Sequence, residues 1–78
     1  MLKILLEILN WDLPAPEIFL TNGEDICLEW LLNDYEYSID IASAGGVAWI
    51  VAGGKFREHG TDLKKFKTLI ENAVNIKN

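Results

Sequence analysis

The segment Ile26–Ala42, ICLEWLLNDYEYSIDIA, decides the fold because two alternating apolar runs flank the dipeptide Asn33-Asp34. Two residues of this type between two such runs predict a tight β-hairpin with strands Ile26–Leu32 and Tyr35–Ala42. Its register places on one face Leu32 with Tyr35, Trp30 with Tyr37, Leu28 with Ile39 and Ile26 with Ile41. A slip of one residue would mix apolar and polar side chains on both faces, so the register is well specified.

Strand patterns continue on both sides of this hairpin. Glu17–Leu20 is a predicted strand, and a five-residue turn over residues 21–25 places Ile18 and Leu20 on the apolar face. After a turn at Ser43–Gly46, Val47–Ala52 is a predicted fourth strand, which the pair Gly53-Gly54 ends.

The facing of the fourth strand has two interpretations. A three-residue loop with glycine in the left-handed position points Val47, Trp49 and Val51 inward. A loop of two or four residues points the even-numbered residues of the strand inward instead. We prefer the first, because it buries the tryptophan.

Each end of the chain carries an apolar stripe at helical spacing. The first helix is predicted over residues 2–10, and its stripe consists of Leu2, Leu5, Leu6 and Leu9, widened by Ile4 and Ile8. Pro14 and Pro16 disfavour helix for the residues before them, so 12–16 is a predicted extended connector. The second helix is predicted from an N-cap at Thr61 to about residue 76, with a stripe of Leu63, Phe66, Ile70, Ala73 and Val74.

The sequence therefore predicts one α+β domain over residues 1–78. Its architecture is a four-stranded antiparallel meander between an N-terminal and a C-terminal helix, with both helices on the apolar face of the sheet.

The charge is unevenly distributed along the chain. Residues 1–40 hold nine acidic side chains and one lysine, a net charge of −8, whereas residues 41–78 hold three acidic and six basic ones, a net charge of +3. The total of −5 disfavours direct binding to nucleic acid phosphates. A cationic protein partner is the better electrostatic match.

Candidate catalytic and metal-binding groups are few. The single cysteine, Cys27, excludes an intramolecular disulfide, and one histidine with one cysteine cannot build a structural zinc site. The residues 54–60 are predicted to form a flexible, basic loop without the spacing of a phosphate-binding loop. A general base at His59, oriented by Asp62, is a weak hypothesis because no nucleophile accompanies it. We therefore predict no enzyme activity, no cofactor and no metal.

The N-terminal stretch carries Lys3 and Glu7 and is too short for a membrane span or a signal peptide. The predicted location is the cytoplasm, and we predict no membrane partner.

The polar face of the sheet is the predicted binding site. It combines apolar and acidic side chains as a protein-recognition surface does, and its predicted binding residues are Glu17, Phe19, Glu29, Leu31, Glu36 and Asp40. The alternative interpretation is a solvated sheet face with scattered hydrophobic residues.

A further pattern covers the first two strands. It consists of Pro14–Ile18, then Gly23, then Ile26–Trp30. The pattern resembles a group of short, uncharacterised bacterial proteins with a Pro-x-Ile/Val strand, a glycine turn and an apolar-x-Leu-Glu-Trp strand. The resemblance covers roughly residues 12–42; it supports the hairpin and implies no activity.

Three functional hypotheses follow. The first is a non-enzymatic interaction protein, a small acidic inhibitor of the antitoxin, immunity or phage anti-defence type that binds a basic surface on a larger protein. The second is a self-associating structural or accessory domain, a homodimer with its polar sheet faces packed together. The third and weakest is a small-molecule binder or enzyme that uses the loop 54–60.

Overall fold

The computed structural model describes residues 2–21 and 23–75. Its elements in chain order are α1 (Leu2–Leu9), β1 (Glu17–Leu20), β2 (Ile26–Leu32), β3 (Tyr35–Ile41), β4 (Val47–Gly53), β5 (Phe56–Gly60) and α2 (Leu63–Asn75). The strands form one antiparallel sheet in the order β1-β2-β3-β4-β5. The chain is therefore α+β with a meander, as predicted, but the sheet has five strands and not four. The predicted helix end near residue 76 and Asn22 of the predicted turn lie outside the described residues.

The fifth strand lies in the segment that was predicted to be a flexible loop. Gly53 pairs with Phe56, so Gly54-Lys55 is a two-residue hairpin loop. Gly54 has a φ of 57°, and two-residue loops favour glycine at such a position because it has no β-carbon. The glycine pair thus ends β4 as predicted and turns the chain into another strand, so the prediction of a flexible loop over 54–60 is wrong.

The central hairpin is as predicted. Asn33 and Asp34 have φ values of 54° and 66°, which a type I′ loop requires at both positions. All four predicted apolar pairs between β2 and β3 are present. In β4, Trp49 and Val51 are buried, which confirms the preferred facing of that strand.

Both helices pack on one face of the sheet and share one apolar core with it. From α2 the core takes Phe66, Ile70 and Ala73, as predicted. From α1 it takes Ile8, with Ile4 and Leu5 partly buried, whereas Leu6 and Leu9 are exposed. The predicted stripe of α1 is therefore wrong at two positions. Because α1 is apolar on nearly every side, its pattern did not define which side faces the sheet.

Three hydrogen bonds attach the connector and α2 to the sheet. Trp30 Nε1 donates to the carbonyl of Pro14 at 2.8 Å, and Trp49 Nε1 donates to the carbonyl of Asp62 at 2.9 Å. At the far end of α2, Asn33 Nδ2 donates to the carbonyl of Ala73 at 2.7 Å. These bonds satisfy the two buried indole N–H groups and fix the layer of helices over the sheet.

The N-cap of α2 differs from the prediction. Asp62, rather than Thr61, precedes the first helical residue, and its carboxylate accepts a hydrogen bond from the backbone N–H of Lys64 at 3.0 Å. This is the N-cap contact to the second helical residue.

Strand β1 is incompletely covered. Ile18 and Leu20 pair with Leu28 and Ile26 and so lie on the predicted face, yet they are 53% and 79% exposed. Two helices about 10 Å wide cover about four strands at a spacing of about 4.8 Å. The extra strand widens the sheet beyond that cover, so these two residues lie on the predicted face but outside the buried core.

Candidate binding face

The sheet face opposite the helices is called the outer face here. Its residues form three rows that cross the strands: Phe19, Cys27, Asp40 and Ala48; then Glu17, Glu29, Ser38, Ile50 and His59; then Leu31, Glu36, Ala52 and Arg57. All six predicted binding residues lie on this face, within β1–β3: Glu17, Phe19, Glu29, Leu31, Glu36 and Asp40. Neither α1 nor α2 packs against it, because both bury their apolar sides on the opposite face.

A shallow depression marks the acidic part of the outer face. It has a volume of about 200 Å³ and is lined by Glu17, Glu29, Trp30, Leu31 and Glu36. Three carboxylates therefore surround a leucine whose side chain is 75% exposed. The depression is small and open to solvent.

No basic side chain neutralises these carboxylates within residues 2–21 and 23–75. The ion pairs in this part of the chain are Lys65 with Glu58, and Lys67 with Glu71 at 3.5 Å. Both involve α2, on the other side of the sheet. The negative field of β1–β3 is therefore uncompensated at the surface.

The charge of the outer face changes from negative on β1–β3 to positive on β5. Strand β4 contributes Ala48, Ile50 and Ala52, which carry no charge, and β5 contributes Arg57 and His59. Sequence analysis missed the last two because it did not recognise β5. The signal that identifies them is the two-residue Gly-Lys loop, a hairpin type that a glycine at the first loop position permits.

Cys27 lies on β2 between its cross-strand partners Phe19 and Asp40, in the row next to the acidic depression. Burial, then its hydrogen bond to Asp40, then the negative charges of Asp40 and Glu29 raise the pKa of the Cys27 thiol to about 12. The thiol is therefore protonated at neutral pH and donates to the carboxylate. It is a poor nucleophile and a poor metal ligand in this state.

The segment 54–60 does not assemble the hypothesised acid–base site. His59 is an exposed residue of β5 opposite Ile50, and the Asp62 carboxylate is engaged by the N-terminus of α2. In the part of the chain that the structure describes, no group of three or more His, Cys, Asp or Glu side chains is arranged to hold a metal ion.

Comparisons with known proteins give no relative from which a function could be inferred. No family model, no curated protein and no solved structure matches the chain. The resemblance to short bacterial proteins stays a prediction. Across the described ranges, no helix is long and apolar enough to cross a membrane.

Proposed function

We propose that the chain is a non-enzymatic interaction protein whose outer face binds a basic surface on a larger protein. The observation that carries the proposal is the depression in which Glu17, Glu29 and Glu36 surround Leu31. Small size and acidity make the chain comparable to antitoxins, immunity proteins and phage inhibitors of bacterial defence systems. That comparison is by analogy of size and charge, and we propose the inhibitor role on that basis.

The chemistry of recognition follows from the residue types. A lysine or arginine of the partner enters the depression and makes charge-assisted hydrogen bonds to the carboxylates. Leu31 within the depression and Phe19, two residues along β1 from Glu17, are both exposed and contribute apolar contact. Apolar anchors within a polar surround are typical of binding hot spots.

The charge gradient favours one placement of the partner. Arg57 lies on β5, at the opposite edge from β1, and it repels a basic surface. The partner therefore occupies β1–β3. Reversal of this charge, Arg57→Glu, extends the acidic area and leaves the affinity unchanged or higher.

Self-association through the outer face is disfavoured by the same residues. In an aligned stack of two sheets, the central strand β3 of one copy lies over β3 of the other. Glu36 and Asp40 of both copies would then meet at a separation of about 10 Å in a dry interface. Burial of unpaired carboxylates costs several kcal/mol in order of magnitude.

Affinity capture with charge-reversal variants tests the proposal. The tagged chain is incubated with lysate of the source organism or its host at low and moderate salt, and bound proteins are identified by mass spectrometry. We expect a stoichiometric partner with a basic surface, released as the salt concentration rises. The triple variant Glu29→Lys, Glu36→Lys, Asp40→Lys should not retain it.

A control triple variant separates location from net charge. Glu7→Lys, Asp12→Lys and Glu24→Lys change the net charge by the same amount at exposed positions outside the three rows of the outer face. We expect this variant to retain the partner. Equal retention by the two triple variants would refute the placement on the outer face.

A further inference from the structure

The two edge strands of the sheet differ in how well their side chains prevent pairing with a strand of another chain. Edge strand β1 presents Ile18, Phe19 and Leu20, which are 53%, 43% and 79% exposed. Edge strand β5 carries the charged or polar run Arg57-Glu58-His59, with Glu58 paired to Lys65. Charged side chains are the usual means of preventing an edge from pairing with another chain. Strand β1 has only Glu17 for this purpose.

The backbone of β1 offers its hydrogen-bonding groups in a defined pattern. Thr21 N–H donates to the carbonyl of Asp25 at 3.0 Å, and this pair continues the β1–β2 register of Leu20 with Ile26. In an antiparallel ladder, every second residue bonds to the neighbouring strand. Phe19 and Glu17 therefore direct their N–H and C=O groups toward β2. Ile18 and Leu20 direct theirs out from the edge of the sheet.

We propose that two copies of the chain pair antiparallel through β1 and form a continuous ten-stranded sheet. The two-fold axis is perpendicular to the sheet and passes between the two Phe19 residues. Ile18 of each copy then lies opposite Leu20 of the other, and the outward groups of these residues form four backbone hydrogen bonds. The three central side-chain pairs across the junction are apolar, with Phe19 facing Phe19 on the outer side.

Among the possible registers, this one gives hydrogen-bond partners to the largest number of outward backbone groups of β1. A shift by two residues in one direction places Leu20 opposite Pro16, which has no N–H to donate. A shift by two residues in the other direction leaves Ile18 opposite a residue that follows the end of β1 in the other copy. In the proposed register, Glu17 lies opposite Thr21, so the two Glu17 carboxylates are about 14 Å apart along the strands. That distance exceeds the Debye length of about 8 Å at physiological salt.

The proposed dimer is small, and Phe19 is the one residue of its three central pairs that it shares with the proposed partner-binding face. A four-residue junction buries less area than the roughly 1,600 Å² of a standard interface, so we expect a dissociation constant on the order of micromolar. Because the axis is perpendicular to the sheet, both outer faces point the same way and stay open.

Sedimentation at concentrations from about 1 μM to about 1 mM tests the proposal. We expect a monomer–dimer equilibrium for the wild-type chain and a dissociation constant raised at least about tenfold by Leu20→Lys, which adds a charge at the junction. The matched control is Leu31→Lys, because Leu31 is 75% exposed where Leu20 is 79% exposed, but it lies on β2 and not at the edge. The control should dimerise as the wild type does.

Hydrogen exchange of single amides identifies the interface. The amides of Ile18 and Leu20 should become protected as the concentration rises, whereas that of Phe19 should be equally protected at all concentrations. A monomer throughout the range, or a dimer with these two amides unprotected, would overturn the proposal. Equal weakening by Leu20→Lys and Leu31→Lys would also overturn it, because it would place the contact on the outer face.

Discussion

The indole ring of Trp49 lies against the backbone of Gly60, its partner across β4 and β5. A β-carbon at Gly60 would be 2.9 Å from Trp49 Cζ2, closer than side chains tolerate. The same indole donates its N–H to Asp62. One tryptophan thus joins β4, β5 and the start of α2, and the glycine makes room for it.

The substitution Gly60→Ala should therefore destabilise the fold. The added methyl group forces the indole to shift inside a packed core, and we expect a loss of about 1–3 kcal/mol in the free energy of unfolding. Chemical denaturation measures this loss. The control is Gly46→Ala, whose β-carbon would be 4.0 Å from its nearest heavy atom, on Ala42. Equal stability of the two variants would contradict the packing of Trp49.

The aromatic cluster around Phe66 should dominate stability. Its ring centroid lies 5.8 Å from that of Trp49, 5.9 Å from that of Trp30 and 6.3 Å from that of Tyr37. Phe66→Ala should cost about 3–5 kcal/mol, a large share of the roughly 4–12 kcal/mol expected for a domain of this size. If the alanine variant does not fold, Phe66→Leu provides the test, with a smaller expected loss in the free energy of unfolding.

The matched variant Phe19→Ala should cost less than about 1 kcal/mol, because Phe19 is exposed on the outer face. Thermal unfolding of the two phenylalanine variants provides the comparison. A larger loss at Phe19 than at Phe66 would show that the outer face is covered in the folded chain.

The thiol of Cys27 should react slowly with disulfide reagents. With its pKa raised from 9.0 to about 12, the thiolate fraction at pH 8 falls by roughly a thousandfold. Asp40→Ala removes the hydrogen bond and the nearest negative charge, so the reaction should become faster. Reaction at the rate of a free cysteine in the wild-type chain would contradict the protonated thiol.

Stability should decrease at alkaline pH. Burial raises the pKa of Tyr37, as it does that of Cys27. A group with a raised folded pKa contributes stability below its unfolded pKa and loses it as the pH rises through the folded pKa. For Cys27 this window extends from 9.0 to about 12. Denaturation at successive pH values should show a shallower decline for Cys27→Ala, in which only the tyrosine contribution persists.

The sequence predicted the centre of the sheet better than its edges. The β2–β3 register was predictable because four apolar pairs and the Asn33-Asp34 loop agree on one alignment. Strand β5 was not predictable, because it is a charged edge strand with one large apolar residue, Phe56. It lacks the alternation of apolar and polar residues that marks a half-buried strand. The exposure of Leu20 depends on how far the helices extend over the sheet, which no local pattern encodes.

The candidate site shows the same division. Its six predicted residues share the outer face because the β2–β3 register fixes Glu29, Leu31, Glu36 and Asp40 together. The charge of β5 was missed along with the strand. Sequence analysis therefore found the acidic part of the face and not its boundary at Arg57.

The central claim is that a basic partner contacts the outer face at β1–β3. The most direct measurement is the footprint of the captured partner on this chain, mapped by side-chain and amide NMR signals in the free and bound states. We predict changes centred on Phe19, Leu31 and Glu36, with α2 and its Lys64 unaffected. A footprint on the helices, or one centred on Arg57 and His59, would contradict the account.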